Sequence, residues 1–378
     1  MAIDKITTAA ITDANITTAK LAYDAIPFRN IIINGDMSIA QRATSASSIT
    51  SGGYHACDRW KEDMTSAGTW TISQSTTVPT GQGFATSLKM DCTTANGSLS
   101  ANSELMVQQR LEGQMLQYLK KGTSDAVSTT LSFWVRSNKT GTYICELQDV
   151  DNNRQISKSY TISSADTWEK KTITFPGDTT GALDNNNARS LDCSFYLAAG
   201  SNLSSGTLST TWTAKTDANR AVGQVNLADS TSNEWYVTGV QLEAGSVASD
   251  FEFLPVDVNE NRCLRYFYQI ISKTDTNSIN AYGYYYSASN IKFPTRLPTQ
   301  MRSAPTLEQS IATNALRFYR DSTYDGLSAN FVLDGNGSGR YVSMYNSTDA
   351  SGTAGQAGHL YKYSPTQADS YIWLNAEL

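Results

Sequence analysis

Histidine is nearly absent from this 378-residue chain, which holds only His55 and His359. A Ser/His/Asp triad or a His-based metal cage would have to recruit one of them, and neither has a partner at ligand spacing. Charge is scarce too: Asp, Glu, Lys and Arg make up 17% of the residues, against roughly 25% in an average globular chain. No cluster of four or more Lys/Arg occurs and the net charge is −6, so the electrostatic footprint of a nucleic-acid binder is missing. No apolar run reaches the roughly 18 residues of a membrane span, and Met1 to Ala22 lacks a basic stretch followed by an apolar one. Neither membrane insertion nor a standard secretory signal is expected. The five cysteines, Cys57, Cys92, Cys145, Cys193 and Cys263, are odd in number, widely spaced and free of any CxxC. They read as small buried hydrophobes rather than a disulfide framework or metal cage.

Neutral polar residues fill the place of charge. Ser and Thr supply roughly a quarter of the chain and Tyr occurs 20 times, the composition that many solvated strands require. The length exceeds a typical single domain.

Three parts follow from the pattern. Residues 1–27 repeat with a period of five, placing Ile6, Ile11, Ile16, Leu21 and Ile26 at equal spacing. Steps of five rotate by about 140° on a helix and switch face on a strand, so neither element gathers these side chains onto one stripe. Copies from other chains, or a docking partner, would have to bury them; a disordered Thr/Ala-rich tail is the competing assignment. Residues 28–255 alternate as strands separated by Ser/Thr/Gly/Asn-rich loops. The clearest is Thr129 to Arg136, with Leu131, Phe133 and Val135 on one face and Ser132, Trp134 and Arg136 on the other. Only Asn102 to Leu119 has spacing that suggests a helix. About eight to ten strands read as an all-β, antiparallel, jelly-roll-like sandwich. After a short charged connector, Asp257 to Cys263, residues 256–378 form a second, smaller, Tyr-rich β-sandwich. Pro294, Pro298 and Pro305 mark where a central strand is not expected to run.

Sites for chemistry are few. His55 and Cys57 in Tyr54-His-Ala-Cys-Asp-Arg-Trp60 would need an oxyanion hole as well as each other; the sequence reads better as an ordered loop pinned by an Asp58–Arg59 neighbour pairing and by packing of Trp60. Asp149-Val-Asp-Asn-Asn153 and Asp184-Asn-Asn-Asn187 offer oxygens to calcium but resemble ordinary turns. Asp334-Gly-Asn-Gly-Ser-Gly339 lacks the Lys of a phosphate loop and reads as a hairpin turn. No cofactor is expected. Aromatics remain. Sugar rings stack their C–H faces on Tyr and Trp while neutral polar side chains meet the hydroxyls. Alternation sends Tyr282, Tyr284 and Tyr286 to one face and Tyr285 to the other. With Tyr319, Tyr324, Tyr345 and Tyr361 they are candidate glycan contacts; burial in a core or subunit interface is the competing assignment.

Asn30-Ile-Ile-Ile-Asn-Gly-Asp-Met-Ser-Ile-Ala-Gln-Arg42 with Cys57-Asp-Arg-Trp60 resembles the opening of a domain common in tail-fibre and other virion proteins of tailed bacteriophages. Tyr236 to Glu252 resembles that domain's closing strand, and Glu260 to Tyr268 the segment that follows it. The N-terminal repeat and the ending Tyr371 to Leu378 are similar to those of phage fibres. The resemblance implies a non-enzymatic virion protein: a homotrimeric tail fibre attaching to host surface polysaccharide, with its N-terminus docked on other virion proteins. A head-fibre, decoration or adaptor role is the alternative within that class. A capsule depolymerase is the alternative outside it, and the 20- to 25-residue solenoid period of a β-helix tailspike is absent. More distantly, the Asn34-Gly-Asp opening and Val240-Gln-Leu are similar to carbohydrate-binding-module jelly rolls. Where such modules carry a calcium-holding acidic pair, this chain has Thr238-Gly239.

Overall fold

The computed structural model describes residues 28–275, 278–335, 339–363 and 370–378. Ile6, Ile11, Ile16, Leu21 and Ile26 lie outside the described residues. The chain divides into two compact units, the second starting at Asp257, and it is nearly all β.

The first unit runs β1 (Ser45–Ile49), β2 (Lys61–Thr65), β3 (Thr69–Ser75), β4 (Ser87–Thr94), β5 (Glu104–Glu112), β6 (Thr129–Ser137), β7 (Gly141–Asp149), β8 (Arg154–Ile162), β9 (Glu169–Phe175), β10 (Arg189–Ala199), a one-turn helix α1 (Ser201–Ser204), β11 (Thr213–Ala214) and β12 (Glu234–Ala244). They form two six-stranded sheets, ordered β1-β3-β4-β12-β6-β9 and β11-β8-β7-β10-β5-β2. Every pairing is antiparallel. Alternation puts Leu131, Phe133 and Val135 of β6 fully into the core. There Phe133 stands edge-on to Tyr160 and Phe195, with ring centroids 5.1 and 4.9 Å away. Trp60, Trp70 and Trp235 fill the same core together with Cys57, Cys92, Cys145 and Cys193, and Cys263 is buried in the second unit. In β12 a bulge between Thr238 and Gln241 shifts the pairing with β6, so Val240 rather than Gly239 takes the inward place after Val237. Gly239 sits at φ +62, and a Cβ there would come within 2.5 Å of the Phe84 ring. Only glycine fits this backbone.

The expected helix at Asn102 to Leu119 is instead β5 followed by two 3-10 turns, Gly113–Met115 and Gln117–Leu119. Both faces of β5 are covered: Leu105, Val107 and Leu111 point to the main core, and Met106 joins Ile144, Tyr196, Leu203 and Ala221 on the other side. Apolar residues on both faces erase the period-two signature.

The second unit runs α2 (Val256–Leu264), β13 (Phe267–Ile271), β14 (Ser278–Ser287), β15 (Asn290–Arg296), β16 (Thr306–Ser310), β17 (Leu316–Arg320), β18 (Thr323–Leu327), β19 (Val332–Leu333), β20 (Tyr341–Asn346), β21 (Ala357–Lys362) and β22 (Tyr371–Asn375). A three-stranded sheet, β13-β22-β16, and a seven-stranded sheet, β18-β17-β21-β14-β15-β20-β19, share one core. The connector expected at Asp257 to Cys263 is helical, and the strand expected from Leu264 starts at Phe267. Pro294 corrects the expectation drawn from proline: it lies in β15, an inner strand. Pairing with β14 ends at Tyr284↔Lys292, and Ser343, opposite Pro294 on β20, gives its carbonyl to Asp334 N–H instead. The proline therefore occupies a non-hydrogen-bonded position, where the missing N–H removes no ladder bond.

Candidate functional site

Register in the seven-stranded sheet decides where the tyrosines go. On β14, Tyr285 is 1% exposed and packs edge-on against Phe318, whereas Tyr282 and Tyr286 are 72% and 62% exposed. Gly283 shares the inward face, where a Cβ would come within 2.7 Å of the Phe293 ring. Tyr282 stands opposite His359 of β21, His359 opposite Tyr319 of β17, and Tyr319 opposite Tyr324 of β18. Directly opposed residues point to the same side of a sheet. The rings meet accordingly: Tyr319 stacks on His359 at 5.7 Å, lies 5.3 Å from Tyr324 and stands edge-on to Tyr361 at 5.5 Å. Toward the other edge, Tyr284 faces Lys292 of β15, and Lys292 faces Tyr345 of β20. All seven tyrosines singled out from the sequence thus occupy one outward face, spanning β18 to β20 over about 24 Å at normal strand spacing.

Three cations and a groove belong to the same face, and the sequence reading passed over all of them. The Arg317 guanidinium lies 4.2 Å from the Tyr324 ring centre and 3.1 Å from that of Tyr363, and it donates a 3.2 Å hydrogen bond to the Tyr319 hydroxyl. Lys292 sits 4.3 Å above Tyr286 and pairs with Asp334 at 2.6 Å. Arg296 is exposed and lines a groove of about 370 Å³ with Pro294, Asp334, Tyr341 and Ser343. Tyr341 was findable by the alternation that found Tyr345. Arg317 was not, because the rings that hold it come from β18 and from Tyr363, just past β21.

The motif residues of the first unit have a different fate. Asn30 Nδ2 donates to the Val240 carbonyl, and its Oδ1 accepts from the N–H groups of Ile32 and Leu242. Asn34, at φ +57, donates to the carbonyls of Ile39 and Asp58 and accepts from Ile39 N–H. Its own carbonyl takes the Trp60 indole N–H at 3.0 Å. Gln109 exchanges two hydrogen bonds with the Ile33 backbone, Asp58 accepts from Gln41, and Glu252 accepts from Asn30 N–H. These side chains replace the strand ladder that residues 30–42 lack, tying the opening segment to β12 and β5.

The other sequence candidates are structural in the same way. His55 Nδ1 lies 2.8 Å from Glu62, whose carboxyl is raised by burial despite that contact. Cys57 is buried, and burial pushes its thiol well above its usual value, with Glu62, Asp58 and Asp36 adding to the rise; it is not the thiolate a nucleophile needs. Asp149 caps its own turn through Asn152 and meets Lys121 at 3.3 Å. Lys121 and Arg154 also flank Asp178 at 3.1 and 2.7 Å. Protein cations thus face the Asp149 and Asp178 carboxylates, while Asp151 accepts from Asp184 N–H. At Thr238-Gly239 the threonine hydroxyl donates to the Thr86 carbonyl at 2.8 Å, and no group of three His, Cys, Asp or Glu suited to a metal occurs among the described residues. A second aromatic recess, of about 320 Å³, lies where Trp134 of β6 nears Phe84, Phe251 and Phe253 beside Gln82, Lys170 and Asp250. Its signal was Trp134, the large apolar residue on the polar side of β6.

No protein-family model matches the sequence, and no curated protein matches it. Among solved structures the chain is similar to the enzymatically active domain of bacteriophage CBA120 tailspike protein 4, at 13% identity and a TM-score of 0.30 over 58% of this chain and 22% of that one. It is also similar to a protein from Bacteroides thetaiotaomicron described as sugar-binding, at 14% and 0.31 over 57% and 99%. The module TmCBM61 in complex with β-1,4-galactotriose follows, at 9% and 0.30 over 57% and 99%.

Proposed function

We propose that this chain is a tailed-bacteriophage virion protein, a tail-fibre or receptor-binding subunit acting as a homotrimer, whose C-terminal unit contacts host surface polysaccharide. The observation that carries the glycan contact is the collection of Tyr282, Tyr284, Tyr286, Tyr319, Tyr324, Tyr345 and Tyr361 on one outward face. Exposed aromatic area on this scale is uncommon on a solitary surface and marks a contact site. Tyrosine suits sugar because each ring offers an apolar face for C–H groups and a hydroxyl for the rim. The phage-like opening and closing motifs and the pentad Ile6, Ile11, Ile16, Leu21 and Ile26 support the virion setting and the trimer.

The test is affinity electrophoresis of the full chain through gels containing host surface polysaccharide, run beside light scattering. Retardation by the polysaccharide, together with a threefold chain mass, is expected. If migration is unaltered and Tyr282→Ala lowers the assembled mass instead, the face is a contact between protein subunits.

A further inference from the structure

The tyrosine face carries positive charge that its own side chains leave unneutralised. Arg317 and Arg296 make no ion pair among the described residues. None of the outward positions of the seven strands that pair across this face holds Asp or Glu, and Asp334, in the loop after β19, is engaged by Lys292. The surplus is local. The chain as a whole carries −6, while residues 257–378 hold ten Lys/Arg and ten Asp/Glu, a net of zero.

We infer that this face takes an acidic polysaccharide, one bearing carboxylate or phosphate groups, with Arg317 as the charge that grips it. This rests on the carbohydrate reading above and narrows it. A guanidinium is planar and meets a carboxylate or phosphate through two parallel N–H bonds. The rings of Tyr324 and Tyr363 and the hydroxyl of Tyr319 already hold Arg317 in place, so little side-chain freedom is left to lose on binding. Sugar rings laid on Tyr282, Tyr284 and Tyr286 would bring successive acidic groups past Arg317 at one side and Arg296 in its groove at the other. A neutral glycan would cover these cations without pairing them, which is unfavourable. A second copy of the same face would set like charges against each other.

The experiment uses the full chain in affinity gels with polygalacturonate and alginate as carboxylate polymers, a glycerol-phosphate teichoic polymer as the phosphate source, and carboxyl-reduced polygalacturonate as the neutral counterpart. Retardation by at least one acidic polymer is expected. It should weaken on the order of tenfold in Arg317→Gln, the cost of one charge-assisted contact, with partial recovery in Arg317→Lys. Raising NaCl from 0.1 to 0.5 M should weaken it further. Which acidic polymer retards the chain identifies carboxylate or phosphate as the group recognised. Equal retardation by polygalacturonate and its reduced form would overturn the charge inference and leave the carbohydrate reading standing; this comparison needs no variant to fold. Retardation by no polymer, acidic or neutral, and none by host polysaccharide would remove both.

Discussion

The two units spend their aromatic residues in opposite directions. In the first, Trp60, Trp70, Trp235, Phe133, Phe195, Tyr143 and Tyr196 are buried, and the motif side chains Asn30, Asn34, Gln109 and Glu252 bond to backbone within the unit. In the second, which holds thirteen of the chain's 20 tyrosines, the core is made mostly by aliphatic residues and phenylalanine while Tyr282, Tyr286, Tyr324 and Tyr341 stand in solvent. The Asn30 to Arg42 and Tyr236 to Glu252 motifs hold the first sandwich together, whereas the C-terminal unit turns its tyrosines outward.

Substitutions should separate the two uses. Trp235→Ala, which empties a fully buried site, should cost about 3–5 kcal/mol in urea unfolding of the full chain. Asn30→Ala should cost about 2 kcal/mol, because it strands the N–H groups of Ile32 and Leu242 inside the fold. Acid should act on the first unit through Asp178: burial opposes its ionisation, but Arg154, the Thr180 N–H and Lys121 hold its carboxyl below the ordinary 3.8. A depressed carboxyl lends stability that is complete above its unfolded value and is lost as pH falls through the folded one. Asp178→Asn should therefore be less stable than the parent at pH 7, with the gap closing below about pH 4; a constant gap would contradict the ion-pair assignment. Tyr282→Ala and Tyr286→Ala should change stability by no more than about 0.5 kcal/mol, since neither ring is in the core. A loss approaching that of Trp235→Ala would collapse the distinction between the units.

Legibility followed the same divide. Strands with one wet face, such as β6 and β14, are plain in the sequence because period two survives. β5 is hidden because Met106 and Val107, on opposite faces, are both buried, and α2 because Val256 to Leu264 carries too few apolar residues to show a helical stripe. Pro294 misleads because the rule against proline concerns a hydrogen bond that this position never makes. The tyrosines could be assigned to faces strand by strand. Their convergence, and the capture of Arg317 between Tyr324 and Tyr363, depend on the order of strands in the sheet, which local sequence does not encode.

Tyrosine nitration of the full chain, mapped by mass spectrometry with and without bound polysaccharide, tests the central claim most directly. The account predicts that Tyr282, Tyr284 and Tyr286 react readily in the free protein and become protected together when polysaccharide binds, while exposed Tyr118 of the first unit stays reactive. Polysaccharide binding that leaves all three β14 tyrosines as reactive as before would contradict it.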